Sequence, residues 1–138
     1  MTCPFCALVD GDAPGVVLDE RSESLVVVPR TPETPGHVLV ITRDHYQSLF
    51  DIPEEVLSRA TEHAQTVAHR LQTAGYAGVN LLHASGEAAQ QSVPHFHIHL
   101  APRRDDDGYD LWPASSQWDG TNQHAVYDEL RVVLGGDR

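Results

Sequence analysis

The chain contains no lysine. All nine of its basic residues are arginine, set against 20 carboxylates, for a formal charge of −11 over 138 residues. Such a balance argues against a nucleic-acid backbone as the main partner, because that role wants a basic stripe. It leaves room for a small phosphorylated ligand, which local dipoles and a few donors can hold. The all-arginine usage reads as a bias of codon composition rather than as chemistry. No apolar run approaches the ~20 residues of a membrane span, and the N-terminus lacks the charged-then-apolar pattern of a signal peptide. A cytoplasmic protein with no membrane partner is therefore expected. Cysteine occurs only as Cys3 and Cys6, and hydrophobic residues make up 41%, enough to bury a core without disulfide help.

What the chain does have is histidine, nine in all. Around them the pattern predicts one α+β domain over residues 1–138. Its core lies at about residues 3–103, and an irregular acidic tail and a last helix fill 104–138. Val16–Leu18 and Leu25–Val28 read as a hairpin turning through Asp19–Ser24, and the three prolines of 29–36 as a loop. His37–Thr42 reads as a buried third strand. Asp44 is placed to cap a short helix to about Phe50, and Asp51 or Pro53 to open a longer one ending near Thr73 and Gly75. Val56, Ala60, Ala64, Val67, Ala68 and Leu71 recur at helical spacing on that helix. His63 and His69 on it read as solvated or half-buried. Val79–His83 and Phe96–Ala101 read as strands, the second ended by Pro102, and Gln123–Leu134 as a helix. Strands clustered about one long helix predict a mainly antiparallel sheet.

His95, His97 and His99 alternate with Phe96, Ile98 and Leu100. On a strand, residues two apart share a face with Cα atoms roughly 6.5–7 Å apart, so the histidines project together while the apolar set points to the core. A row of imidazoles is costly to bury without partners. Two functional readings follow. A histidine pair with a third ligand could grip a catalytic metal. Alternatively one imidazole is a nucleophile, competent at pH 7 with a reference pKa near 6.5, which attacks phosphorus to give a phosphoramidate that water cleaves. The loop Ser85–Val93, rich in small residues and neutral donors, favours the second reading, and Gly36-His37 adds a fourth histidine at a strand start.

Pro35-Gly36-His37-Val38-Leu39-Val40-Ile41, Gly86, Gln91-Ser92-Val93 and His95-Phe96-His97-Ile98-His99-Leu100 with Pro102-Arg103 together resemble the histidine triad (HIT) superfamily, in its bacterial Hint-like branch. The resemblance runs from about Cys3 to Arg103. It implies a five-stranded, mainly antiparallel sheet with one long and one or two short helices, two such sheets joining in a homodimer. It implies nucleotidyl hydrolase or transferase chemistry on a nucleoside phosphoramidate, nucleotidyl ester or dinucleoside polyphosphate. By the family pattern His97 attacks the α-phosphate to give a nucleotidyl-histidine. His99 and His37 line the phosphate site, Ser92 and Gln91 contact phosphate with Gln91 positioning water, Gly86 belongs to the same binding loop, and Phe5 and Leu8 border the base. Developing charge on phosphoryl oxygens needs preorganised donors of this kind.

Two positions depart from the pattern. Many members carry an acidic residue seven positions before the glycine of the Gly-His pair, on the ribose hydroxyls; here that position is Pro29, which has no side-chain acceptor and no N–H. His83-Ala84 stands where hydrolases of the family often show an asparagine-containing turn.

The Cys3-Pro4-Phe5-Cys6 pair reads as a redox dithiol, a casual structural pair, or half of a zinc site. A thioredoxin-like setting for the dithiol is missing. The resemblance implies the zinc site, completed by His45 and His95, closed and structural. Arg103 and Arg104 are placed to reach phosphate or to form a surface loop with Asp105–Asp107. Trp112 and Trp118 are placed either to cross to a partner's site or to pack. Two rivals stand beside the enzyme reading: a hydrolase with catalytic zinc on His97 and His99, and a non-catalytic nucleotide-binding module, which Pro29 keeps open.

Overall fold

The computed structural model describes residues 3–112 and 115–135. They form α1 (Pro4–Val9), β1 (Val17–Glu20), β2 (Ser24–Val27), β3 (Val38–Thr42), α2 (Glu54–Thr73), β4 (Gly78–Leu82), β5 (His97–Arg103) and α3 (Gln123–Gly135). The five strands make one antiparallel sheet in the order β1-β2-β3-β5-β4. The chain divides after Gly108 into two compact units. In the second unit α3 carries no buried side chain, and Trp118 stands edge-on to Tyr127 with ring centroids 6.5 Å apart. Among the described residues no helix is long and apolar enough to cross a membrane.

The sheet has two unlike faces. On one, Val26, Val38, Val40, Phe96, Ile98 and Leu100 pack against Ala60 and Ala64 of α2, with Val56, Leu57, Val67 and Ala68 at the margin. Alanines at the centre of the helix stripe let α2 lie close to the sheet. On the other, Leu25, Val27, Leu39 and Ile41 are covered by Phe5, Leu8 and Val9 of α1. Register carries this second face into the histidines, since Ile41 pairs with His97 and Leu39 with His99. The alternation of β5 thus sorts its apolar side chains to α2 and its imidazoles to α1.

Several expectations are corrected. The hairpin turn is tighter than expected, because the Arg21 amide donates to the Ser24 carbonyl and both strands run up to it. No helix starts at Asp44. Instead the Asp51 carboxylate accepts the amides of Gln47 and Ser48, which holds the stretch as a loop and lowers the Asp51 pKa. α2 starts at Glu54 with Pro53 before it and no side-chain cap. Pro102 does not end β5. Asn80 pairs with Ala101, and Gly78 with Arg103. A proline at 102 can donate to neither neighbour, so the β4 ladder uses the odd-numbered residues of β5, while Pro102 points its nitrogen to the β3 side, beyond Val38.

His63 is fully buried rather than solvated, whereas His69 is exposed. The His63 ring bridges Ser24 Oγ at 2.6 Å and Asp19 Oδ2 at 2.8 Å, tying α2 to the β1–β2 hairpin. This bond is also what lowers the Asp19 pKa. Replacing His63 by Leu leaves the buried Ser24 hydroxyl unpaired. We expect a loss of about 1–3 kcal/mol in urea unfolding, and Ser24→Ala should cost less in the His63→Leu background than in the wild type.

Candidate active site and metal centre

β5 begins at His97, and His95 lies just ahead of it in a bend fixed by the Phe96 amide donating to the Tyr46 carbonyl at 2.7 Å. His37, His95 and His97 are buried and His99 is half-buried. The rings of His97 and His99 lie 5.0 Å apart, and Phe5 of α1 stands edge-on to both His95 and His97.

Backbone groups of fixed polarity settle the tautomers. The Glu33 amide donates to His37 Nδ1 at 2.9 Å, so the neutral ring carries its proton on Nε2. That N–H faces His99 Nδ1 at 3.0 Å. His99 Nδ1 must then accept, and its proton sits on Nε2, as a donor. His97 is set the other way. Its Nδ1 lies 2.7 Å from the His95 carbonyl, which only accepts, so Nδ1 carries the proton and Nε2 keeps its lone pair. One ring is left with a nucleophilic nitrogen and its neighbour with an N–H donor.

Burial is the first cause that holds these rings neutral. It lowers His37 and His97, and it lowers His99 to about 4 with help from the charges of His97, His37 and His83.

The loop before β5 is braced by Gln91. Its Oε1 accepts the Gly86 amide, and its Nε2 donates to the carbonyls of Gln47 and Val93. Where the sequence suggests that Gln91 positions water, both ends of its amide are engaged with backbone, and so is the Gly86 N–H. Gly86 itself has φ +94°, which favours glycine. Ser92 is exposed on the same loop. Leu8 packs with Leu25, Val27, Leu39 and Ile41. Pro29 is half-buried at the end of β2, in the loop leading to His37. Arg103 is held by Asp107 and Asn80, and Arg104 stacks on Tyr76.

His83 is the residue whose role the sequence concealed. Its Nδ1 donates to the His97 carbonyl at 2.8 Å, and its Nε2 meets Ser85 Oγ at 2.6 Å. No local pattern signals a side chain bonded to the backbone of another strand.

Cys3, Cys6, His45 and His95 form the second cluster, their ligand atoms all within 4.8 Å of one another. The His95 Nδ1 is 3.2 Å from Cys3 Sγ and 3.5 Å from Cys6 Sγ, and His45 Nδ1 is 3.3 Å from Cys6 Sγ. Tetrahedral zinc with ordinary Zn–S and Zn–N bonds separates sulfur from nitrogen by about 3.5 Å. The His95 Nε2–H donates to the Thr42 carbonyl at 2.7 Å, which leaves Nδ1 free to ligate and orients the ring. Burial and the adjacent Cys3 thiol push Cys6 up to about 11, an arrangement of two thiols that a cation relieves. The donor set fits zinc.

The buried neutral histidines make stability acid-sensitive. The unfolded chain takes up protons near pH 6.5 that His99 refuses down to about pH 4. Stability from this source is complete above about 6.5 and is lost as the pH falls toward 4. Thermal melts between pH 7.5 and 4.5 should show a falling midpoint, and His99→Gln should flatten the fall.

A HIT domain model matches residues 10–106. An adenosine 5'-monophosphoramidase of Saccharomyces cerevisiae is 34% identical over 136 residues, 97% of this chain and 84% of that protein. A zinc-bound histidine triad family protein from Mycobacterium smegmatis superposes with a TM-score of 0.76 at 31% identity, covering 96% of this chain and 97% of its own. A histidine triad nucleotide-binding protein from Candida albicans gives 0.78 at 27% identity, over 99% and 100%. The chain belongs to the HIT domain family.

Proposed function

We propose that the protein hydrolyses a nucleoside phosphoramidate or a related nucleotidyl ester or anhydride through a covalent intermediate on His97. The observation that carries the reading is the protonation pattern: the His95 carbonyl holds the proton on His97 Nδ1 and leaves Nε2 as a lone pair. Nε2 attacks the α-phosphorus, an N–P bond forms, and the bond from phosphorus to the leaving amine breaks as the amine takes up one proton. Water then adds to phosphorus, the His97 N–P bond breaks, and one proton is released, so the two halves balance. The His99 Nε2–H and the Ser92 hydroxyl supply donors for the phosphoryl oxygens. Phe5 and Leu8 are assigned to the nucleoside, and Gln91 and Gly86 keep the donor loop in shape. The amidase activity named for the yeast relative supports the phosphoramidate among possible substrates.

A catalytic metal on His97 and His99 is disfavoured by one bond. Ligation through His99 Nε2 would move its proton to Nδ1 and force His37 to accept at Nε2. The His37 proton would then sit on Nδ1, against the Glu33 N–H. The non-catalytic binding module is disfavoured by the nucleophilic His97 nitrogen. Zinc is assigned instead to Cys3, Cys6, His45 and His95, with no open position for substrate, where it supplies cross-linking of α1 to the β5 lead-in. Pairing of two copies into a homodimer belongs to the same proposal.

His97→Ala should retain the fold by circular dichroism and lose turnover by at least about 10³-fold, with no nucleotidyl-protein mass adduct; wild-type turnover in that variant overturns the mechanism. Elemental analysis should return one zinc per chain, and Cys6→Ser should lower both zinc content and melting temperature. Light scattering should give twice the mass of one chain.

A further inference from the structure

We propose that His83 is a positioning residue for the His97 nucleophile, its ring replacing a backbone donor that β4 fails to provide. The inference rests on the assignment of His97 above. Because Pro102 forces the odd-numbered residues of β5 to bond toward β4, the His97 carbonyl points to the β4 side as well. The ladder stops at the pair of Leu82 and His99. A continued β4 would bring the amide of residue 84 to the His97 carbonyl, but the chain turns away there into the 85–91 loop. The His83 Nδ1–H fills that place at 2.8 Å.

The ring is held from three sides. It lies on Phe96, with centroids 4.8 Å apart and planes tilted by 35°. The Nε2, which has to accept once Nδ1 donates to a carbonyl, takes the Ser85 hydroxyl proton at 2.6 Å. Ser85 Oγ in turn accepts the Leu49 amide at 2.9 Å. A chain of oriented donors therefore runs from the Leu49 amide through Ser85 and His83 to the peptide of the nucleophile. It fixes the 97–98 peptide plane while the His95 carbonyl fixes the His97 ring. It also lets the main chain depart before residue 84, so the donor loop can stand beside the nucleophile without leaving a strand carbonyl unpaired.

The test compares three substitutions on the full-length, metal-loaded protein with adenosine 5'-phosphoramidate, reading kcat, KM and the rate of adduct formation by rapid quench. His83→Leu removes the donor. His83→Asn keeps an N–H near the position of Nδ1, whereas His83→Gln carries its amide nearer the position of Nε2. His83→Leu and His83→Gln should slow adduct formation and kcat by about tenfold or more, as expected when a nucleophile is loosened, with KM within about twofold. His83→Asn should recover most of the rate. All three lose the stacking on Phe96, so a merely structural role predicts the same kinetic loss in each. Equal loss in Asn and Gln, or a wild-type kcat in Leu, overturns the proposal. Should His83→Leu fail to fold, the Asn and Gln pair decides alone. If His97→Ala loses the adduct while the His83 variants keep the wild-type rate, the positioning role alone falls; if His97→Ala keeps the rate, the His97 mechanism falls and this inference with it.

Discussion

The Glu33 amide donates to His37 Nδ1, and that one contact gives the site its polarity. A backbone N–H only donates. Its proton sets the His37 tautomer, His37 sets His99, and His99 is left with a donor directed away from the pair. Imidazole is symmetrical enough to be ambiguous in most settings, and burial alone would only make these rings neutral without saying which nitrogen is basic. Main-chain groups at Glu33, His95 and Thr42 remove that ambiguity for His37, His97 and His95 respectively. The polarity of the histidine site is thus set by main-chain groups at the end of β3, just ahead of β5 and in the loop before β3, not by the rings themselves.

One strand serves three environments. Phe96, Ile98 and Leu100 bind the sheet to α2, His97 and His99 face α1, and His95, in the bend before the strand, belongs to the Cys3–Cys6–His45 cluster. This division couples properties that would otherwise be independent. A metal on His95 would restrain the residue whose carbonyl holds the His97 proton, so the cluster and the proposed nucleophile are linked through one hydrogen bond.

Much of this was legible in the residues. Alternation in 95–100 sorted the faces because the side-chain period of a strand is two, whatever the partner strands are. The apolar stripe of α2 and the close of that helix at Gly75 followed from spacing and backbone preference. The motif resemblance brought Cys3, Cys6, His45 and His95 together, although they are up to 92 positions apart. What stayed hidden were bonds from side chains to distant main chain. His63 reads as solvated or half-buried because neither Ser24 nor Asp19 is near it in sequence. His83 looked like a departure without a role, because its partner is a carbonyl, which every residue has. Asp44 promised a cap that Asp51 prevented by taking the nearby amides itself. Pro102 looked like a strand end, and only the ladder parity shows why a proline is tolerated there.

The cover over the imidazole face is α1, a helix of six residues. A helix that short has almost no tendency to persist on its own, so it stays in place through Phe5, Leu8 and Val9 on the sheet and through the Cys6 thiol and that of its N-cap, Cys3, beside His45 and His95. The opposite face carries a helix of 20 residues. Local opening free energies should therefore be lopsided, with the α1 side yielding before the α2 side. In the language of hydrogen exchange, the proposed nucleophile sits under the less protected of the two helical covers. A metal held by Cys3, Cys6, His45 and His95 would then tie this cover to the lead-in of β5 and make the histidine face open to solvent less often.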